Sequence, residues 1–170
     1  GDNIQFVRYF NLVKSKAKKV ILQVNKKLVR LFKESNLSEN ILSNNEKLPE
    51  FDIHCPLLSL PFKFSTTLKN IPFNDKYLFP SKDRIIKWQK RFNNQFLNIG
   101  INWHASPNPD LDKGNSFKLK YFQDISLIEK TKLYSLQKFN GLDQINENKK
   151  KLKLNIIDNF DEDVPFVDTA

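Results

Sequence analysis

The sequence predicts an α/β fold, with strands and helices in three α/β/α layers and the pattern repeated in two successive halves. Three observations predict it. Short apolar runs rich in Val, Ile and Leu alternate with segments of helical spacing, as in parallel strands joined by crossover helices. That alternation occurs on both sides of one well-marked helix over 81–94. The 170 residues, 39% of them hydrophobic and 15 of them Phe, can bury a sizeable core and are too apolar for a disordered chain.

The elements follow in order. Gly1-Asp2 reads as a tight turn, with Asp2 as N-cap of a helix whose apolar side is Ile4, Val7, Phe10, Leu12 and Val13. Such a turn ordinarily follows a buried strand, and PFVDTA ends without a closing Gly, Pro or charged tail. The chain is therefore expected to be a piece of a larger protein, incomplete at both ends. KKVILQV (18–24) suits a buried parallel strand, and NKKLVRLFKES returns to helical spacing through Leu28, Leu31 and Phe32. NILS is a second short strand, and FDIHCPLLSL (51–60) is a third apolar run, read as a buried strand.

Residues 63–80 are polar and Pro-punctuated, a connecting segment with turns. SKDRIIKWQKRFNN is a helix capped by Ser81, with Ile85, Ile86, Trp88, Gln89 and Phe92 on one side. In the second half, FLNIGINWHASP (96–107) is a strand entering a loop, and a helix is expected over 119–130. Strands are expected over 132–138 and 151–159, with a polar segment between them. A strand whose polar loop opens a helix is where open α/β sheets bind ligands. Two such halves predict two facing Rossmann-like domains, 1–93 and 94–170.

Composition narrows the classes of function. The formal charge of +9 invites a nucleic-acid reading, but the basic residues are dispersed along the chain. With 24 lysines against 4 arginines, and abundant Asn, Ile and Phe, the balance is that of an AT-rich coding sequence. Lys149-Lys150-Lys151 reads as a solvated helix end, and no nucleic-acid motif is present. No nucleic-acid partner and no membrane span are expected, since no window has about 18 uncharged apolar residues. A single cysteine, Cys55, excludes an internal disulfide and suits a reducing, cytoplasmic setting.

Six segments in order carry a resemblance: GDNIQFVRY, FDIHCPLLSLP, TTLKNIP with KYL, IGINWHASP, YSLQK and PFVDTA. Together they resemble the glycosyltransferase domain that follows tetratricopeptide repeats in many bacterial proteins. That group is similar to the heptosyltransferases (glycosyltransferase family 9) and distantly to the O-linked N-acetylglucosamine transferases. The resemblance implies a GT-B fold, incomplete at both ends, with 1–93 as the acceptor-side domain lacking its first strand. Residues 94–170 would be the first half of the nucleotide-sugar domain, whose second Asp-Thr motif, His and glycine-rich turn lie further on. The implied activity is inverting transfer of a sugar from a nucleotide-sugar to a sugar, lipid-linked or protein acceptor. Neither a cofactor nor a metal is implied. Asp161 and Asp163 have Asp-x-Asp spacing, but in an acidic loop rather than at a strand end.

Each candidate residue has a plainer alternative, and both stay open at this point. Asp2 matches the Asp of the family's Gly-Asp turn, the implied catalytic base; the alternative is a helix cap. Arg8 and His54 are acceptor-side candidates. The alternatives are a carboxylate partner for Arg8 and a hydrogen-bonded core residue for His54. His104 and Ser106 lie in the loop expected to cradle the donor diphosphate through backbone N–H groups and a hydroxyl. Ser116 follows Asn115, where the family usually has Arg, so Lys113 would have to supply the charge. Gln137 and Lys138 match positions expected to touch the nucleotide or its phosphates; an exposed strand-end lysine is the alternative for Lys138. A missing first strand would also expose a sheet edge, which predicts homo-oligomerisation through it. A non-catalytic, transferase-like binding or scaffold module is the other functional reading.

Overall fold

The computed structural model describes residues 1–72, 76–92, 95–105, 114–162 and 165–169. The chain is mixed α/β with two small parallel sheets. It divides into two compact units: Gly1–Ile85 together with the segment from Asp161 onward, and Ile86–Phe160.

In the first unit, α1 (Asp2–Phe6), a 3-10 turn (Val7–Tyr9) and α2 (Phe10–Lys14) lead into β1 (Leu22–Val24). Helix α3 (Lys26–Glu34) then crosses to β2 (Ile41–Ser43), which pairs with β1 in parallel, Leu22 opposite Ile41 and Val24 opposite Ser43. Local chemistry explains both ends of α3. Asn25 caps it, its Oδ1 accepting from the Lys27 N–H at 3.0 Å, and the Asn25 N–H donates to the Asn3 Oδ1. Asn36 ends it in the left-handed region (φ 53°), and the Leu37 N–H returns to the Phe32 carbonyl. Leu28, Leu31 and Phe32 lie on one face and meet Val7, Phe10, Leu22, Val24 and Ile41 in the core.

Val167 inserts into that same core from far along the chain. The segment carrying it is fixed by charge. Arg84, on α5 (Lys82–Gln89), donates to the Asp168 carboxylate at 2.7 Å, with the two side chains 14% and 2% exposed. The second Asp168 oxygen accepts from the Asp161 N–H. Asp161 in turn accepts from the Asp168 and Thr169 N–H groups and from the Thr169 hydroxyl.

One expected strand is absent. Residues 51–56 have no regular structure, Leu57–Ser59 form a 3-10 turn, and α4 (Leu60–Lys63) follows. Pro56 removes a ladder donor from the middle of that run, and Pro61, directly after it, sits in the first turn of α4, where its missing N–H costs nothing. Ile53, read as buried, is 88% exposed.

The second unit orders its strands β3 (Leu97–Ile101), β4 (Thr131–Ser135) and β5 (Asn155–Ile156), all parallel. The single helix expected over 119–130 is a 3-10 turn (Leu119–Phe122) followed by the short α6 (Gln123–Ser126). The Ser126 hydroxyl donates back to the Gln123 carbonyl, a local bond that competes with helix extension. The expected polar segment contains α7 (Asp143–Leu152), the crossover from β4 to β5. Because Lys151 and Leu152 belong to α7, the strand expected over 151–159 shrinks to Asn155–Ile156. Ile101, Trp103, Leu119, Leu133, Leu152 and Leu154 form this unit's core. Among the described residues, no helix is long and apolar enough to cross a membrane.

Two tests follow from the first unit. Removing one member of a buried ion pair strands the other, at a cost of about 3–5 kcal/mol. Arg84→Met is therefore expected to speed hydrogen exchange at the Leu31 and Phe32 amides, and Arg84→Met with Asp168→Leu to restore part of the protection. Unchanged exchange in the single variant would remove the pair from the account. Glu46 accepts from the Ser43 N–H at 2.6 Å. That backbone bond leads the causes that hold its carboxyl below the ordinary glutamate range, with the Ser43 hydroxyl and the charges of Lys33 and Lys26 adding to it. The contribution is present above the ordinary value and lost as pH falls through the depressed one. An NMR titration should show the Ser43 amide moving with the Glu46 carboxyl at that lower midpoint.

Candidate functional site

Of the residues singled out in the second unit, His104, Ser116, Gln137 and Lys138 gather at the carboxyl ends of β3 and β4, around one buried side chain. Gln137, 6% exposed, lies just beyond β4. Its Oε1 accepts from two successive N–H groups past β3, Trp103 at 3.0 Å and His104 at 2.9 Å. Its Nε2 donates to the carbonyls of His104 and Lys138, both at 3.1 Å. One amide thus satisfies four backbone groups and staples the two strand ends together. Only a side chain with both an acceptor and donors at the end of a three-carbon reach does this.

The next residues along the loop are held just as closely. The Ala105 N–H donates to the Ser116 Oγ at 2.9 Å, and the same oxygen lies 3.0 Å from the His104 Nδ1. Trp103 is buried in the core, and its indole N–H donates to the Gly141 carbonyl at 3.0 Å. Gly141 has φ +80°, and a Cβ there would stand 2.9 Å from the Trp103 Nε1, so both conformation and space demand glycine. The Lys138 ammonium donates to the Phe160 carbonyl and lies 4.4 Å from the Phe160 ring centroid. A scan against protein-family models, a search of the curated proteins and a search of the solved structures each return no match for this chain.

His104, Ser116, Gln137 and Lys138 are therefore neighbours, but their chemistry differs from expectation. The N–H groups of His104 and Ala105, in the loop expected to cradle a diphosphate, donate to Gln137 and Ser116 instead, as the Trp103 N–H does to Gln137. Gln137 acts as a buried brace with both ends of its amide occupied. Ser106 and Lys113 lie outside the described residues.

The candidates of the first unit are dispersed. Gly1 takes the N-cap position of α1, so Asp2 is the first helical residue. It lies exposed in the first turn, and no side-chain capping bond is made. Arg8 donates to the Gln5 carbonyl and to the Tyr77 hydroxyl at 3.2 Å, with its guanidinium 5.1 Å from the Tyr77 ring centroid. Its partner is thus an aromatic rather than a carboxylate. His54 is exposed in irregular chain, edge-on to Phe51. Neither a strand end nor a buried histidine is found there. Asp168 and Thr169, in the PFVDTA segment, bind Arg84 and Asp161.

The sequence reading passed over Phe139. It follows Lys138 at φ 63°, a backbone region costly for a bulky residue, and it is 75% exposed. Strain beside the strand ends, carried by an aromatic facing solvent, adds an apolar surface to this cluster. Its only sequence signal was an apolar residue in a polar stretch.

Gln137 provides a sharp test. Gln137→Leu leaves the buried Trp103 and His104 N–H groups without acceptors, at about 1–3 kcal/mol each. Gln137→Glu keeps an acceptor but sets a second oxygen against the His104 and Lys138 carbonyls. Both variants should lower the urea midpoint of Trp fluorescence, and the Glu variant should recover at acid pH, where its protonated carboxyl can donate. Equal stability of all three proteins at every pH would contradict the brace.

Proposed function

We propose that this chain is part of a GT-B-type, inverting, metal-independent glycosyltransferase related to the domain that follows tetratricopeptide repeats. In that reaction an acceptor hydroxyl attacks the anomeric carbon of a nucleotide-sugar from the face opposite the diphosphate. The C–O bond to the acceptor forms as the bond to the leaving phosphate oxygen breaks, and the hydroxyl proton passes to a carboxylate. Asp2 is assigned as that base, and Lys138 as a charge on the departing diphosphate.

The observation that carries the reading is the ordered set of six sequence segments, of which IGINWHASP and YSLQK converge at one strand-end cluster. Carboxyl ends of parallel strands are where open α/β sheets take ligands. A second reading, a transferase-like module that binds without turnover, draws on a specific observation. The main-chain donors at 103–105 are engaged internally, and Asn115 stands where the resemblance expects Arg.

The test uses the complete polypeptide that contains this sequence. Hydrolysis of UDP- and GDP-sugars is expected, and Asp2→Asn should reduce it about 10²–10⁴-fold, the usual worth of a general base, with nucleotide affinity kept. Saturable UDP or GDP binding without turnover would support the module instead. Neither binding nor turnover would sink both.

A further inference from the structure

A cavity of about 720 Å³ opens at the amino-terminal edge of the β1–β2 sheet, and none of the candidate site residues lines it. Two connections form its walls: Lys14 and Ala17–Val20 leading from α2 into β1, and Lys33 and Asn36–Asn40 leading from α3 into β2. Its volume falls within the roughly 300–1,000 Å³ of small-molecule sites. Val20 and Leu37 give it an apolar floor, Leu37 being buried in the core.

The rim is basic. Lys14, Lys18, Lys19 and Lys33 line this space together with one carboxylate, Glu39. Among the described residues, none of the four lysines is in an ion pair, although the charge of Lys33 also reaches Glu46. Two helices end here, and each carboxyl terminus carries about half a negative charge, which lysines ordinarily balance. Those two half-charges and Glu39 together offset about two of the four positive charges, so a surplus of about two remains.

That surplus lies over a preformed frame. Asn36 holds the left-handed turn that redirects the chain, the Asn40 N–H donates to the Ser38 hydroxyl, and the Leu22 N–H to the Asn40 carbonyl. Lysines from two separate connections thus converge on one concavity whose walls are pinned by main-chain bonds. We infer that this cavity is an anion site for a ligand with two or more phosphate charges and an apolar body that rests on Val20 and Leu37. The inference does not depend on the proposed transferase activity, because none of the residues assigned to that activity lines this cavity.

Inorganic pyrophosphate is the probe for the charge. At low ionic strength it should bind saturably and shift the amide resonances of 18–20 and 36–40. Lys18→Glu with Lys33→Glu should weaken it by about tenfold or more. Lys149→Glu with Lys150→Glu, the same charge change on α7, should leave the affinity within about twofold. Both pairs alter exposed side chains, and circular dichroism checks that each variant folds. A second arm separates the sources of phosphate. Sedimentation with cardiolipin vesicles, whose headgroup carries two phosphates, but not with phosphatidylcholine vesicles, lost in the Lys18/Lys33 variant, assigns a lipid headgroup. Pyrophosphate binding without sedimentation assigns a free phosphorylated ligand. The inference is overturned if neither probe binds, if the shifts fall at 103–138 instead, or if both variant pairs weaken binding equally.

Discussion

A single neutral amide sets the geometry of the second unit. Parallel strands leave their carboxyl ends open, and the backbone there must find partners or pay for burial. Gln137 supplies an acceptor for two N–H groups on one side and donors for two carbonyls on the other. Trp103 follows from that bond, because holding its N–H directs the indole inward toward Leu119 and Leu133 and its ring N–H onto Gly141. The result is a rigid strand-end platform whose polar groups are mostly matched among themselves. The main-chain donors at 103–105 are thus engaged within the protein itself.

The first unit solves a different problem. Its sheet has two strands of three residues each, too little hydrogen bonding to hold a fold by itself. Side chains do more of the stabilising: Phe32, Val7 and Phe10 fill the space over the sheet, and Val167 closes it. The Arg84–Asp168 pair fixes the register of that last insertion. A hydrophobic side chain alone could slide, whereas a carboxylate that also accepts the Asp161 N–H has one place to sit.

How much of this was legible depended on whether the signal was local. β1, α3, β2, α5, β3 and β4 announce themselves through runs such as ILQV and through Leu28, Leu31 and Phe32 at helical spacing. Their caps, Asn25 among them, are single residues with known preferences. FDIHCPLLSL misled because its apolar content outweighed Pro56 in its middle, which cannot donate to a ladder, and Pro61 directly after it. Helix α7 was hidden by its polarity: Ile145 and Leu152 are the apolar positions that face the core, and its end is turned by Lys153 in a left-handed conformation where glycine is usual. At the candidate site the sequence supplied the neighbours but not their roles. That Gln137 would serve the loop after β3, or Arg84 bind Asp168, depends on residues 33 to 84 positions apart.

The burial of Val167 bears on how the chain is made. A ribosome delivers residues in order, and the first core is short of one wall until a segment some eighty positions later has emerged. The stretch from Ile86 to Phe160, by contrast, is contiguous and can collapse as soon as β5 is out. Synthesis order and maturation order therefore run opposite to each other: the part translated first is completed last, and nascent chains expose its unfinished apolar face in the meantime.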